Sequence, residues 1–156
     1  MKLHLGCGKK LWDGYVNIDI KGGDVKADIR FLPFDNSTAD EIVAIHVCEH
    51  FMLTEIVGVI SRWRDLVKEC GMLVVELPCW DKVVAHIKND GPENMTRWAL
   101  YGEPSTHRDG IDAVHKYCYS ISEFRKILEM AGFSEAVCET PKFHQPTRDM
   151  RWVATR

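Results

Sequence analysis

Nowhere in the chain do about eighteen apolar residues run together, as a helix crossing a bilayer requires. The opening MKLHLGCG has no long apolar stretch and no small-residue cleavage pattern, so a cytoplasmic protein without membrane partners is expected. The six cysteines, Cys7, Cys48, Cys70, Cys79, Cys118 and Cys138, never fall in C-x-x-C spacing and lie mostly in apolar segments, which favours reduced, buried thiols over a disulfide framework. Positive charge is not in excess: 20 Lys and Arg face 23 Asp and Glu, a net charge of -3, and no basic stripe marks a nucleic-acid partner. Repeats and low-complexity tracts are also missing, which removes solenoids and linkers. What remains is 156 residues with 46% hydrophobic content, enough for one core and one domain spanning 1–156.

The order of strand and helix signals points to an α/β fold. Met1 to Leu5 reads as a short strand, Tyr15 to Ile20 alternates with the period of a second, and Val25 to Ile29 suits a third. The β-branched run Ile42 to Val47 suits a buried fourth strand. Ile56, Val59, Ile60, Trp63, Leu66 and Val67 share one helical stripe, with Thr54 as the expected cap and Gly71 as the expected left-handed terminator. Met72 to Leu77 forms a fifth strand stopped by Pro78. Helices are expected near Asp81 to Ile87 and Glu93 to Leu100, with Gly91, Gly102 and Gly110 as breakers. Ser120-Ile121-Ser122-Glu123 is a capping box opening a helix that Gly132 ends. Phe133 to Thr140 and Asp149 to Arg156 complete the sheet as an antiparallel pair.

A strand running directly into Gly6-Cys7-Gly8 lets backbone approach a ligand, because neither glycine carries a Cβ. Asp19 and Asp28 close the next two strands, where carboxylates accept hydrogen bonds from ribose hydroxyls or an adenine amino group. A dinucleotide fits this pattern poorly: Leu11 stands where the third glycine of G-x-G-x-x-G belongs, and Asp19 follows Gly8 too soon for a helix between them. A nucleoside ligand without a pyrophosphate needs less of that machinery.

These residues resemble the class I S-adenosylmethionine-dependent methyltransferases, especially a short, type 11-like branch. The resemblance rests on L-x-L-G-C-G at Leu3 to Gly8, N-I-D-I at Asn17 to Ile20, A-D-I-x-x-L-P-F at Ala27 to Phe34 and E-H at Glu49-His50, and it continues through Gly71 to Pro78 and Ser120 to Phe133. It implies a Rossmann-like three-layer sandwich, a mostly parallel sheet with an antiparallel terminal strand, and S-adenosyl-L-methionine as cofactor, with S-adenosyl-L-homocysteine as product. It places Gly6, Cys7 and Gly8 at the methionine part, Asp19 on the ribose, Ile20 against the adenine, Asp28 and Ile29 at the adenine edge, and Leu32 and His46 along the pocket. The departure lies between Gly8 and Asp19, where the crossover helix is reduced or absent. An extended chain still bridges the gap at about 3.3 Å per residue, and the thinly covered sheet face becomes a candidate homodimer surface.

The same region spells H-x-x-E-H at His46 to His50, the pattern of a class of zinc peptidases needing both histidines on one helical face. A β-branched run suits a strand better, and no metal is expected. Methyl transfer from a sulfonium needs alignment of the acceptor, plus a base only where the acceptor loses a proton. His50 and His115 are the catalytic candidates for that base, beside structural roles for both. The variable segment 79–118 is expected to face a small-molecule acceptor, with Trp80, Trp98, Tyr117 and Tyr119 either walling that site or packing ordinarily. A non-catalytic module that merely holds the cofactor is the alternative from another class.

Overall fold

In the computed structural model, residues 1–105, 110 and 113–156 are described. The six residues between them belong to the variable segment, so that part of the expected acceptor face lies outside the described residues. The elements are β1 (Lys2–Leu5), β2 (Val16–Asp19), β3 (Val25–Lys26), β4 (Ala39–Ile45), α1 (Leu53–Leu66), β5 (Val67–Pro78), α2 (Trp80–Asp90), α3 (Asn94–Tyr101), α4 (Ile121–Met130), β6 (Glu135–Glu139) and β7 (Asp149–Thr155). They build a seven-stranded sheet in the order β3-β2-β1-β4-β5-β7-β6. Neighbours from β3 to β5 run parallel, and β7 runs antiparallel to both β5 and β6. This is the expected Rossmann-like α/β architecture with an antiparallel final strand.

One face of the sheet is apolar because alternate strand residues carry it. Leu3, Leu5, Ile18, Ile42, Ala44, Leu73, Val75, Leu77, Trp152 and Ala154 are buried in one cluster with Ile56, Ile60 and Trp63 of α1 and Phe124, Ile127 and Leu128 of α4. Trp63 also donates its indole N–H to the Ile29 carbonyl at 2.8 Å, which ties α1 to the connection before β4. Arg62 extends the tie through Phe34 O at 2.7 Å and Leu32 O at 3.1 Å.

The opposite face lacks a helix where the first crossover would lie. Residues 6–15 are turns and loop, and β2 still pairs parallel to β1 with Leu5 opposite Ile18. That loop supplies Trp12, which stacks on the buried His4 ring at 4.2 Å and touches Phe143 at 4.9 Å. The buried Asn17 side chain accepts from the Trp12 backbone N–H at 2.8 Å. Beside it, the fully buried Glu76 receives N–H bonds from Lys142 (2.7 Å) and Phe143 (3.0 Å) and pairs with Arg151 at 2.9 Å. Because an uncompensated buried carboxylate is costly, these three donors fix the segment after β6 against the sheet. The third layer is thus irregular chain, and the exposed Met72 and Val137 lie beyond it on the face proposed for a dimer.

Several element ends differ from the sequence reading. The third strand stops at Lys26, because the Asp28 carboxylate accepts the Arg30 N–H at 2.9 Å and folds the chain into a turn. The fourth strand begins earlier and ends at Ile45, since His46 takes a left-handed φ of 54°. Thr54 lies inside α1; Met52 is the cap residue, its N–H donating to Glu55 Oε2 at 3.1 Å. Gly71 is not the terminator either: α1 passes directly into β5, Cys70 holds the left-handed φ of 64°, and Gly71 sits in the bulge between the pairs Ala39–Val67 and Glu41–Met72. A Cβ there would meet Val67 Cγ1 at 2.8 Å. The Ser120 capping box forms as read, with Ser120 N–H to Glu123 Oε2 at 2.9 Å, and Gly132 ends α4 at φ 91°.

Candidate active site

The carboxyl ends of β1, β2 and β4 open onto a cavity of about 700 Å³, the edge at which open α/β sheets bind ligands. Of the residues singled out from sequence, Gly6, Gly8, Asp19, Ile20, Asp28, Ile29, His46, His50 and His115 line it. Cys7 and Leu32 do not: both are buried beside it, Leu32 within the apolar cluster. Trp98 lines the cavity, whereas Trp80, Tyr117 and Tyr119 do not, and Tyr119 is fully buried with its hydroxyl donating to Phe51 O at 3.0 Å.

At the cavity's open end, the glycine loop bends through left-handed φ values of 63° at Gly6 and 53° at Gly8. Gly6 needs its hydrogen for a second reason, since a Cβ would lie 2.5 Å from Val47 Cγ2. Gly8 donates its N–H to Asp19 Oδ2 at 2.9 Å and Lys21 donates to Oδ1 at 2.8 Å. These bonds fix the carboxylate plane while leaving each oxygen lone-pair capacity for a further donor. Asp28 is held by Arg30 at 2.6 Å, and that guanidinium keeps its carboxyl below the ordinary range.

The inner end is built from residues distant in sequence. Beyond β4 the chain makes a short 3-10 turn, Cys48–His50, which points the Glu49 side chain inward with 0% exposure. The Glu49 carbonyl accepts from the Lys116 and Tyr117 N–H groups at 2.8 and 3.2 Å, bringing His115 alongside. His46 lies between two carboxylates, Nδ1 3.0 Å from Glu49 Oε1 and Nε2 3.2 Å from Asp149 Oδ2. Burial alone would discharge that ring, but the Glu49 charge and the Asp149 hydrogen bond outweigh it and raise its pKa to about 9. Glu49 and Asp149, despite burial, are held at about 2 by His46 and, for Asp149, by Arg148. The His144 ring lies tilted against His46 with ring centres 4.0 Å apart.

Sequence reasoning missed His144, Gln145 and Arg148, which line the cavity, and Asp149 behind them. They sit in a tail that alternation and prolines mark only as strand and turn. The H-x-x-E-H spelling does not produce a peptidase site: His46 is a left-handed residue at a strand end and only Cys48–His50 is helical, so the two histidines share no α-helical face.

No protein-family model and no curated protein matches this chain. Solved structures do match in fold. A SAM-dependent methyltransferase from Archaeoglobus fulgidus aligns with 99% of this chain and 85% of its own, at 16% identity and a TM-score of 0.69. A SAM-dependent methyltransferase from Thermotoga maritima, described as a possible histamine N-methyltransferase, aligns over 99% and 81% at 11% identity and TM-score 0.65. A putative methyltransferase of Haloferax volcanii, solved with the Trm112 methyltransferase activator, aligns over 99% and 81% at 13% identity and TM-score 0.61. The chain has the class I methyltransferase fold. Among the described residues, no helix is long and apolar enough to cross a membrane.

Proposed function

We propose that this chain binds S-adenosylmethionine in the cavity and catalyses transfer of its methyl group to a small-molecule or biosynthetic-intermediate acceptor. The observation that carries this reading is the Asp19 carboxylate, fixed by Gly8 and Lys21 amides at the end of β2 and facing a cavity floored by a glycine loop. Its volume of about 700 Å³ suits a nucleoside-sized ligand together with a small acceptor. A Cβ added at Gly8 would meet nothing within 4 Å, so the loop leaves open space there for a ligand.

The bound cofactor would supply an electrophilic methyl group on a sulfonium. Asp19 accepts hydrogen bonds from the ribose hydroxyls, Ile20 gives the adenine an apolar surface, and Asp28 and Ile29 meet the adenine edge, with Arg30 orienting the Asp28 carboxylate. Gly6 and Gly8 border the methionine part, while Cys7 and Leu32 support the pocket from within the fold. The acceptor enters between Trp98 and the histidine end. His115 is suited to accept a proton there: burial lowers its pKa, and its Nδ1 bonds to Ala99 O at 2.9 Å, leaving Nε2 on the other side of the ring. His50 is the second candidate, lining the same end.

Calorimetric titration with S-adenosylmethionine and S-adenosylhomocysteine tests the reading. Micromolar binding, about -8 kcal/mol, lost in Asp19→Ala is the expected result. Absence of binding to either ligand would remove it, and binding without turnover across a broad acceptor panel would favour a module that only holds the cofactor.

A further inference from the structure

The inner end of the cavity holds a buried carboxylate that methyl transfer does not require. Glu49 is fully buried, and among the described residues neither of its carboxylate oxygens has a hydrogen-bond donor in line. Its contact with His46 at 3.0 Å is a charge pair from one side. On the cavity side stand His50 and His115, whose rings meet edge to face with centres 5.0 Å apart. One ligand atom from each of Glu49, His50 and His115 lies within 4.8 Å of the others.

The tautomers decide what this cluster can hold. His50 Nδ1 lies 3.2 Å from Val114 O, and His115 Nδ1 lies 2.9 Å from Ala99 O. A carbonyl can only accept, so each Nδ1 carries a proton, and in the neutral ring Nε2 presents the lone pair. His115 Nε2 lies 3.8 Å from Glu49 Oε1. The His115 lone pair therefore faces the buried carboxylate, a ring nitrogen of His50 lies within 4.8 Å of both, and among the described residues no donor stands between them, which calls for a cation. The backbone carbonyls behind the rings are the supports that metal-binding histidines generally use, and Asp149–His46 braces the carboxylate from behind.

We propose that Glu49, His50 and His115 form a site for a divalent transition-metal ion of the zinc class, three-liganded by protein and open on its remaining side to the cavity. Two histidines and one glutamate are a known ligand set for zinc with an open position. The open position faces the space assigned above to the acceptor, so an oxygen or nitrogen of that molecule is the fourth ligand the geometry favours. The neighbouring cluster of His46, His144 and Asp149 is not the site, although its atoms are equally close. There both His46 nitrogens face carboxylates, and Arg148 engages Asp149 at 2.7 and 2.8 Å, so His46 has no nitrogen free and the Asp149 charge is already matched. This ligand set also differs from the H-x-x-E-H one, because it excludes His46 and draws His115 from 65 residues away. The inference is tested apart from the methyl-transfer reading, since metal binding is measured without cofactor or acceptor, and an ion held there would take up the His50 and His115 lone pairs in place of the proton-accepting role given to those rings above.

The test is titration of chelator-stripped full-length protein with zinc chloride, followed by calorimetry, and with cobalt chloride, followed by visible absorption. One equivalent of zinc at micromolar affinity or tighter is expected, with an intense band of low-coordinate cobalt. Glu49→Gln, His50→Ala and His115→Ala should each weaken zinc at least about 100-fold while His144→Ala binds as the parent does. Circular dichroism separates loss of ligand from loss of fold, and if a variant fails to fold, the cobalt band of the parent chain decides the matter. No binding of zinc or cobalt by the parent overturns the proposal, leaving only a proton to share the site. Zinc retained in both histidine variants, or lost in His144→Ala, overturns the ligand assignment.

Discussion

The two ends of the cavity handle buried charge in opposite ways. At the glycine-loop end, Asp19 and Asp28 keep partial access to solvent, and their partners lie close in sequence or on the adjoining strand loop: Gly8 and Lys21 for one, Arg30 for the other. At the histidine end, Glu49 and Asp149 are 0% exposed, and their partners come from the β4 exit, the segment before β7 and the chain near residue 115. Accessible carboxylates with local partners are available to a ligand at little cost to the fold. Buried carboxylates with distant partners hold segments together, so changing them tests stability and site at once.

The largest expected difference comes from His46→Ala. It removes the charged group between two buried carboxylates and should destabilise the chain by about 3–5 kcal/mol, lowering Tm by roughly 10 °C at about 2–4 °C per kcal/mol. Thermal unfolding checks this, and a loss under 1 kcal/mol would show that Glu49 and Asp149 do not depend on that ring. Asp19→Ala should do the reverse, leaving Tm within a few degrees while weakening S-adenosylhomocysteine at least about 100-fold, roughly 2.7 kcal/mol.

The pH dependence sharpens the contrast. The His46 pKa is raised from 6.5 to about 9, so the stability its charge contributes is fully present below pH 6.5 and is lost as pH rises through about 9. Urea unfolding of chelator-treated protein at pH 6 and pH 10 should differ by on the order of 2–3 kcal/mol, and His46→Ala should flatten that difference. Glu49 and Asp149 act with the opposite sign, their contribution present above the usual carboxylate range and lost as pH falls toward about 2. The smallest expected effect is Asp28→Asn, about tenfold in cofactor affinity, or roughly 1.4 kcal/mol, with stability unchanged because its Arg30 partner is exposed. A loss as large as that of Asp19→Ala would mean that the adenine edge matters as much as the ribose.

The legibility of the two ends differs for a physical reason. Gly6, Gly8, Asp19 and Asp28 are readable because strand alternation and turn chemistry are local, and a parallel sheet brings its carboxyl edges together whatever the connections do. The absent crossover helix was readable too, from chain length between Gly8 and Asp19. Cys7 and Leu32 do not line the cavity, because a motif gives position along the chain and not the direction of a side chain. The left-handed turns at His46 and Cys70 carry no sequence signal, since both are non-glycine residues held by surrounding structure.

The sequence by itself determined the α/β class, the order of strands and helices, the antiparallel last strand and the acidic edge beside the glycine loop, because periodicity and capping act over a few residues. Tertiary structure decided which carboxylates are buried and what faces them. The two groups, His46 with His144 and Asp149 and Glu49 with His50 and His115, draw on segments that Glu76 holds after β6 and that the Glu49 carbonyl holds at residues 116 and 117. Those are long-range satisfactions of buried polar groups, a demand set by the desolvation of the whole fold and not by any stretch of chain.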